Sequence, residues 1–260
     1  MTKLPAKAFD TAGYIDLALA KQAGAVAVGS YLGSILTPTL AQQAAVLDMG
    51  LFSFWERWAN DPMGGASQGV ADATTAAGHA DDVGQPLGAP IYLPNDEMVP
   101  DWATTEVYFR AAAETLTARG RVAGVYGQTS VWHLVKGYGY RYFCHAPDGT
   151  PPPYPEAHIV QSVSPGTNVG SVSVDVDSIQ TADFGGWNAK GLFNLDPPSP
   201  KPRKAPTMFI LLNPADKCHY LIGAKSTPVY LPQADYSEFL AKGVPEIPCS
   251  AALLKALFAS

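Results

Sequence analysis

The stretch Pro90-Ile91-Tyr92-Leu93-Pro94-Asn95-Asp96-Glu97-Met98 follows a glycine turn, runs apolar, and ends in two acids. In an extended strand the side chains alternate, so Tyr92, Pro94, Asp96 and Met98 share one face while Asn95 and Glu97 share the other, unless Pro94 introduces a bulge. Asp96 is therefore favoured over Glu97 as the acid on the aromatic face. Other apolar runs finish the same way: Phe9-Asp10, Phe54-Trp55-Glu56, Val174-Asp175-Val176-Asp177 and, with a neutral amide, Val160-Gln161. Buried strands with polar C-terminal ends are what a closed parallel barrel needs to gather acids around one mouth.

The segments between these runs have helical character. Ile15, Leu17, Leu19 and Ala23 are spaced for a helix over 14–23, ended by Gly24, and strand two is expected over 25–32. A second helix is expected over 39–49, closed by Gly50 in the left-handed position after a helix, with strand three at 51–55. An alanine-rich helix follows over 69–83, strand four over 91–95, and the most strongly helical segment over 102–119 before Gly120. Strand five is expected at 122–126, a helix at 130–136, and strands six to eight at 140–145, 157–161 and 173–177, with late helices short or missing. Strands alternating with helices make parallel βαβ units, and eight of them favour closure over an open sheet.

Two domains are expected: a (β/α)8 TIM-like barrel over residues 1–195 and a small α+β module over 207–260, joined by the proline-rich linker 196–206. The module's strands are expected at 207–212, 218–223 and 228–231, its helices at 236–241 and 251–258. About fifty residues make a thin core, so the module is expected to lean on the barrel or on another subunit, which makes a homo-oligomer through it one expectation.

A formal charge of -6 and a pI near 5.3 repel a phosphate backbone, which argues against a nucleic-acid partner. Cys144, Cys218 and Cys249 are odd in number and widely spaced, forming neither a disulfide framework nor a metal cluster. The histidines lack paired spacing, and no P-loop lysine follows Gly127, so no metal and no cofactor is expected. The chain begins without a basic and apolar leader and has no run of about eighteen apolar residues, so synthesis in a cytoplasm without a signal peptide, and no membrane partner, are expected.

Asp10, Glu56, Asp96 and Asp177 are the candidate catalytic acids. Glycoside hydrolysis needs one carboxyl kept protonated for the leaving oxygen and a second, ionised, as base or nucleophile, and crowding acids pushes their pKa values apart. In strand eight Asp175 and Asp177 share a face, with Asp177 expected at the rim. The bland alternative is that such acids cap helices or pair with Arg57 or Arg141. Trp55, Trp58, Trp102, Trp132 and Tyr126 could stack on sugar faces or simply pack in the core; Trp58, in a Gly/Pro loop beside Glu56, is the best candidate for stacking.

From Ala8 to Trp187 these pieces resemble, in order and spacing, a family of glycoside-hydrolase-like barrels of actinobacteria and their phages, distant relatives of the family 25 lysozymes. The matching pieces are Phe9-Asp10, Tyr31-Leu32, Gly50 through Glu56, Gly69-Val70-Ala71-Asp72-Ala73, Pro90 through Asp96, Gly124-Val125-Tyr126-Gly127, Gln161, Val174 through Asp177 and Asp183-Phe184-Gly185-Gly186-Trp187. The resemblance implies that Asp10, Glu56, Asp96 and Asp177 line the active site, with Tyr31, Trp58, Tyr92, Tyr126, Gln161 and Asp175 expected to contact substrate. Two departures bear on activity: Ser30 stands where the family often has arginine, and Met98 where it often has a second acid. The C-terminal stretch, with Pro206 to Leu211, Tyr220 to Ile222 and Gly243 to Ile247, is similar to modules at the ends of actinobacteriophage minor tail proteins and lysins. It implies a phage tail protein located in the virion, with cell-wall glycan and other tail proteins as partners. An endolysin acting at lysis and a non-catalytic glycan-binding tail component are the alternatives.

Overall fold

Residues 3–95, 101–147, 154–162 and 167–195, with the strands 208–213, 218–223, 229–231 and 246–248, are described by a computed structural model. The chain divides into two compact units, Met1–Pro197 and Pro198–Ser260.

Seven strands lie side by side in chain order, all parallel: β1 (Ala6–Asp10), β2 (Ala27–Tyr31), β3 (Gly50–Phe54), β4 (Pro90–Asn95), β5 (Val122–Gly127), β6 (Tyr142–His145) and β7 (Ile159–Gln161). Their C-terminal ends share one rim, the mouth. After β7 the chain forms the short β8 (Thr167–Val169), turns at Gly170 in a left-handed conformation (φ 62°), and runs back as β9 (Val172–Ile179). β9 fills the gap between β7 and β1, antiparallel to both, and closes the eight-stranded barrel. A parallel eighth strand would need a crossover of a dozen or more residues, whereas a hairpin brings the next strand back reversed.

This reversal corrects the all-parallel expectation and inverts the strand's polarity. Asp175 pairs with Asp10 at the mouth, and Asp177 sits one step deeper, opposite Ala8.

Alternation sorts the strands as the sequence pattern requires. Ala6, Ala8, Phe52, Phe54, Tyr92 and Ile179 fill the interior, while Phe9, Val28, Leu51, Ile91, Leu93 and Val125 pack under the helices. Interior rings need glycine neighbours: a Cβ on Gly29 would stand 2.4 Å from the Phe52 ring, and one on Gly124 would stand 2.9 Å from Tyr92. Gly50 is not a helix terminator. The left-handed residue before β3 is Asp48 (φ 51°), and Gly50 is itself the first residue of β3, where a Cβ would meet Phe193 at 2.6 Å and Phe184 at 3.1 Å.

The helices are α1 (Leu17–Gln22), α2 (Pro38–Val46), α3 (Gly65–Asp82), α4 (Trp102–Ala118) and α5 (Thr129–Val135). Side chains of Asp16, Thr37 and Asp101 cap α1, α2 and α4 by accepting from backbone N–H groups of the first turn. Where α3 crosses α4, a Cβ on Gly69 would stand 2.3 Å from the Tyr108 carbonyl oxygen, so the two backbones meet closely only because that residue is glycine. Among the described residues no helix follows β6 or β7, and none is long and apolar enough to cross a membrane.

Beyond β9, Phe184 plugs the end of the barrel away from the mouth, and a hairpin of β10 (Gly186–Asn188) and β11 (Gly191–Phe193) adds to the lower half of β3. The Trp187 indole donates to Ser53 Oγ at 2.8 Å there.

The second unit holds a four-stranded sheet: β12 (Met208–Asn213), β13 (Cys218–Gly223), β14 (Val229–Leu231) and β15 (Glu246–Pro248), in the order β14-β13-β12-β15. β12, β13 and β14 are antiparallel neighbours, and β15 lies parallel to β12. The linker 196–206 and the helices expected at 236–241 and 251–258 lie outside the described residues.

Candidate active site

Asp10 ends β1 and is 5% exposed; Asp177 is 2% exposed beneath it; Asp175 is exposed at the mouth on the same face of β9. Gln161, paired with Asp177 across β7 and β9, reaches past it and donates from Nε2 to Asp10 Oδ2 at 3.1 Å. Its other end accepts the Tyr126 hydroxyl at 2.8 Å. The chain Tyr126–Gln161–Asp10 thus aims a donor at Asp10.

Asp177 has no such donor. Neither carboxyl oxygen has a hydrogen-bond donor, and its polar neighbour is the Asp10 carboxyl. Two ionised carboxyl groups this close repel each other. The Gln161 N–H favours the charged form of Asp10, and no donor does the same for Asp177. Burial pushes the Asp177 carboxyl well above the usual carboxylate range, and the negative charges of Asp10 and Asp175 push it further. The pair therefore sets two neighbouring carboxyl groups in unequal surroundings, the asymmetry that acid–base chemistry uses.

Glu56 follows β3. The Trp55 N–H still donates to the Tyr92 carbonyl at 3.0 Å, and the Trp55 ring stacks outside the barrel on His79, with centroids 5.5 Å apart. Alternation then turns Glu56, half-buried, to the mouth side. The loop beyond it is tightly built. The N–H groups of Arg57 and Trp58 both donate to Asp61 Oδ2, at 3.3 and 3.2 Å. The Arg57 guanidinium contacts Asp72 of α3 at 2.9 Å. Asp72 is 1% exposed and also accepts from Gln68 and from the Tyr108 hydroxyl, both at 3.0 Å. An anchored loop therefore displays Trp58, 71% exposed, beside Glu56.

The structure brings together Asp10, Asp175, Asp177, Gln161 and Tyr126, and leaves Trp58 free for stacking on the neighbouring loop. Tyr31 is half-buried at the end of β2 with its ring against Phe54, centroids 5.5 Å apart. Two expectations are corrected. Asp177 lies below the rim, because β9 is reversed. Tyr92, expected at the mouth, is fully buried and donates to the Phe184 carbonyl at 2.8 Å, so it fills the barrel interior. Asp96 and Met98 lie outside the described residues. Ser30 shares the outer face of β2 with Val28, turned from the mouth. Sequence reading had named Asp72 only as part of a matching segment. Its partnership with Arg57 has no local signal, because the two come from different elements.

Among the described residues no group of three or more His, Cys, Asp or Glu side chains could hold a metal ion.

A closed barrel with carboxyl groups at its mouth defines a glycoside-hydrolase-like barrel protein. Residues 18–179 match the family described as Rv2525c-like, glycoside hydrolase-like domain, and the chain belongs to that family. Among solved structures it is similar to the Mycobacterium tuberculosis Tat-secreted protein Rv2525c. Its complexes with HEPES and with L-tartrate are 26% and 25% identical, with TM-scores of 0.62 and 0.63, covering 70% of this chain and 98% and 99% of theirs. An uncharacterized B. stearothermophilus protein shares the fold, with 16% identity, a TM-score of 0.54, and coverage of 67% of this chain and 95% of its own. No curated protein matches the chain.

Proposed function

We propose that this protein binds cell-wall glycan at the barrel mouth and does so as a minor tail protein of a phage particle. The observation that carries the glycan reading is the Asp10–Asp177 pair, polarised by Gln161 and set near the anchored, exposed Trp58. A carboxylate accepts sugar hydroxyls, and an exposed indole offers a flat face to the apolar side of a sugar ring. The tail reading is supported by the similarity of the C-terminal stretch to modules of actinobacteriophage tail proteins.

Hydrolysis is the second reading, favoured by the unequal surroundings of the neighbouring Asp10 and Asp177 carboxyl groups. Against turnover stands Met98, because a thioether cannot deliver the proton that glycosidic cleavage requires.

The test is a sedimentation and sugar-release assay on purified actinobacterial wall, comparing the parent with Glu56→Gln, Asp96→Asn and Trp58→Ala. The parent is expected to sediment with the wall without releasing sugar, and Trp58→Ala to sediment less. Sugar release by the parent, reduced on the order of a hundredfold in both carboxyl variants, would establish the hydrolase reading instead. Absence of the protein from purified particles would replace the tail role with that of an endolysin.

A further inference from the structure

The helix α2 carries no charged residue, and its positions Thr39, Gln42, Gln43 and Val46 form one stripe at helical spacing. The neighbouring α1 is only six residues long. Between them lies an open groove of about 510 Å³, lined among others by Tyr14, Asp16, Thr39, Gln42, Gln43 and Val46.

One end of this groove adjoins the mouth. The Thr11 hydroxyl donates to the Ser173 carbonyl of β9 at 3.0 Å, and the Gly13 N–H donates to Thr11 Oγ1 at 2.9 Å. These bonds fix the loop that runs from Asp10 at the mouth to α1, and Tyr14 on that loop is 60% exposed. At the other end Val46 is 83% exposed.

The charges bordering the groove are already engaged. Asp16 accepts from the N–H of Ala18 at 2.7 Å, and the Lys21 ammonium donates to the Leu47 carbonyl. The rest of the lining offers the hydroxyls of Thr39 and Tyr14, two primary amides, an aromatic ring and aliphatic surface. No cation lines the groove to recognise a phosphate, and its one carboxylate, Asp16, is turned through Oδ1 to the N–H groups of Ala18 and Leu19. Each amide both donates and accepts, which suits the hydroxyl and amide groups of an uncharged sugar, and Tyr14 suits its apolar face.

We infer that the groove between α1 and α2 is an accessory site for a neutral oligosaccharide, continuing the path of a glycan from the mouth along the barrel's side. The inference rests on the reading of the mouth as a glycan site.

The test uses the full chain with N-acetylglucosamine dimer and hexamer as probes. Nuclear magnetic resonance follows the Gln42 and Gln43 side-chain amides, the Tyr14 ring and the Trp58 indole. The hexamer is expected to shift both the groove signals and Trp58, and the dimer to shift Trp58 alone. Tyr14→Ala and the double variant Gln42→Ala/Gln43→Ala should weaken hexamer binding about tenfold, a loss of about 1.4 kcal/mol, and leave dimer binding unchanged. If the hexamer moves Trp58 but not the groove signals, or binds the groove variants as it binds the parent, the groove is no site and the mouth reading stands. If it moves the groove alone, the accessory site stands and the mouth reading falls. If it moves neither, both fall.

Discussion

Asp177 carries a cost at neutral pH that an amide would not. Its carboxyl titrates well above the usual range because it is buried beside Asp10. A raised folded-state pKa contributes stability that is complete below the unfolded value, near pH 4, and is lost as pH rises through the folded value. Asp177→Asn removes that titration and can still donate to Asp10. Its melting temperature is therefore expected to rise relative to the parent between pH 5 and 8, by about 2–4 °C for each kcal/mol gained, with the advantage vanishing near pH 3. Thermal melts across pH check this; a pH-independent difference would mean that Asp177 is not the proton holder. Asp10, Gln161 and Asp177 each stood out in the sequence as polar ends of apolar runs. The raised titration of Asp177 did not, because it depends on burial and on a carboxyl meeting a carboxyl.

The loop between β3 and α3 is the element on which the mouth's aromatic face depends. Arg57 bonds to Asp72, and Asp61 accepts the N–H groups of Arg57 and Trp58, so the loop has one arrangement before any ligand arrives. Ordering a loop in advance removes an entropic cost from binding. Asp72→Asn keeps the size of the side chain and removes the charge that holds Arg57. Amide hydrogen exchange at Arg57 and Trp58 is expected to speed up, and wall binding to fall several-fold. A further outcome follows from the buried setting: breaking a buried ion pair costs about 3–5 kcal/mol, discounted here because Arg57 is 46% exposed. Unchanged exchange with unchanged binding would show that Asp61 alone suffices to hold the loop.

At the scale of the molecule, the strand pairings that close the barrel and its packed interior lie within Met1–Pro197. A chain truncated after Pro197 is expected to unfold cooperatively at a temperature within a few degrees of the parent's barrel transition and to bind wall as the parent does. Incorporation into particles should be lost. Circular dichroism melts and sedimentation with wall check the first two expectations, and particle composition checks the third. A truncated barrel that fails to fold would mean that the second unit contributes to its core.

The sequence by itself determined roughly where the eight barrel strands lie and which of their faces are apolar, because these follow from alternation and turn chemistry within short windows, whereas the short β8, β10, β11 and β15 were not read from it. It also placed α4 closely, from 102 to 119 expected against Trp102–Ala118 observed. Only the tertiary structure decided the direction of β9, since an apolar run reads the same whether the chain crosses over or turns back before it. That choice exchanged the places of Asp175 and Asp177. Tyr92 likewise reads as a rim aromatic until the fold brings the Phe184 carbonyl, 92 residues away, to its hydroxyl. Gln161 and Asp10 are 151 residues apart and meet only when the barrel closes. Local patterns specify what a residue offers; the partner that fixes its charge and its role comes from the far end of the chain.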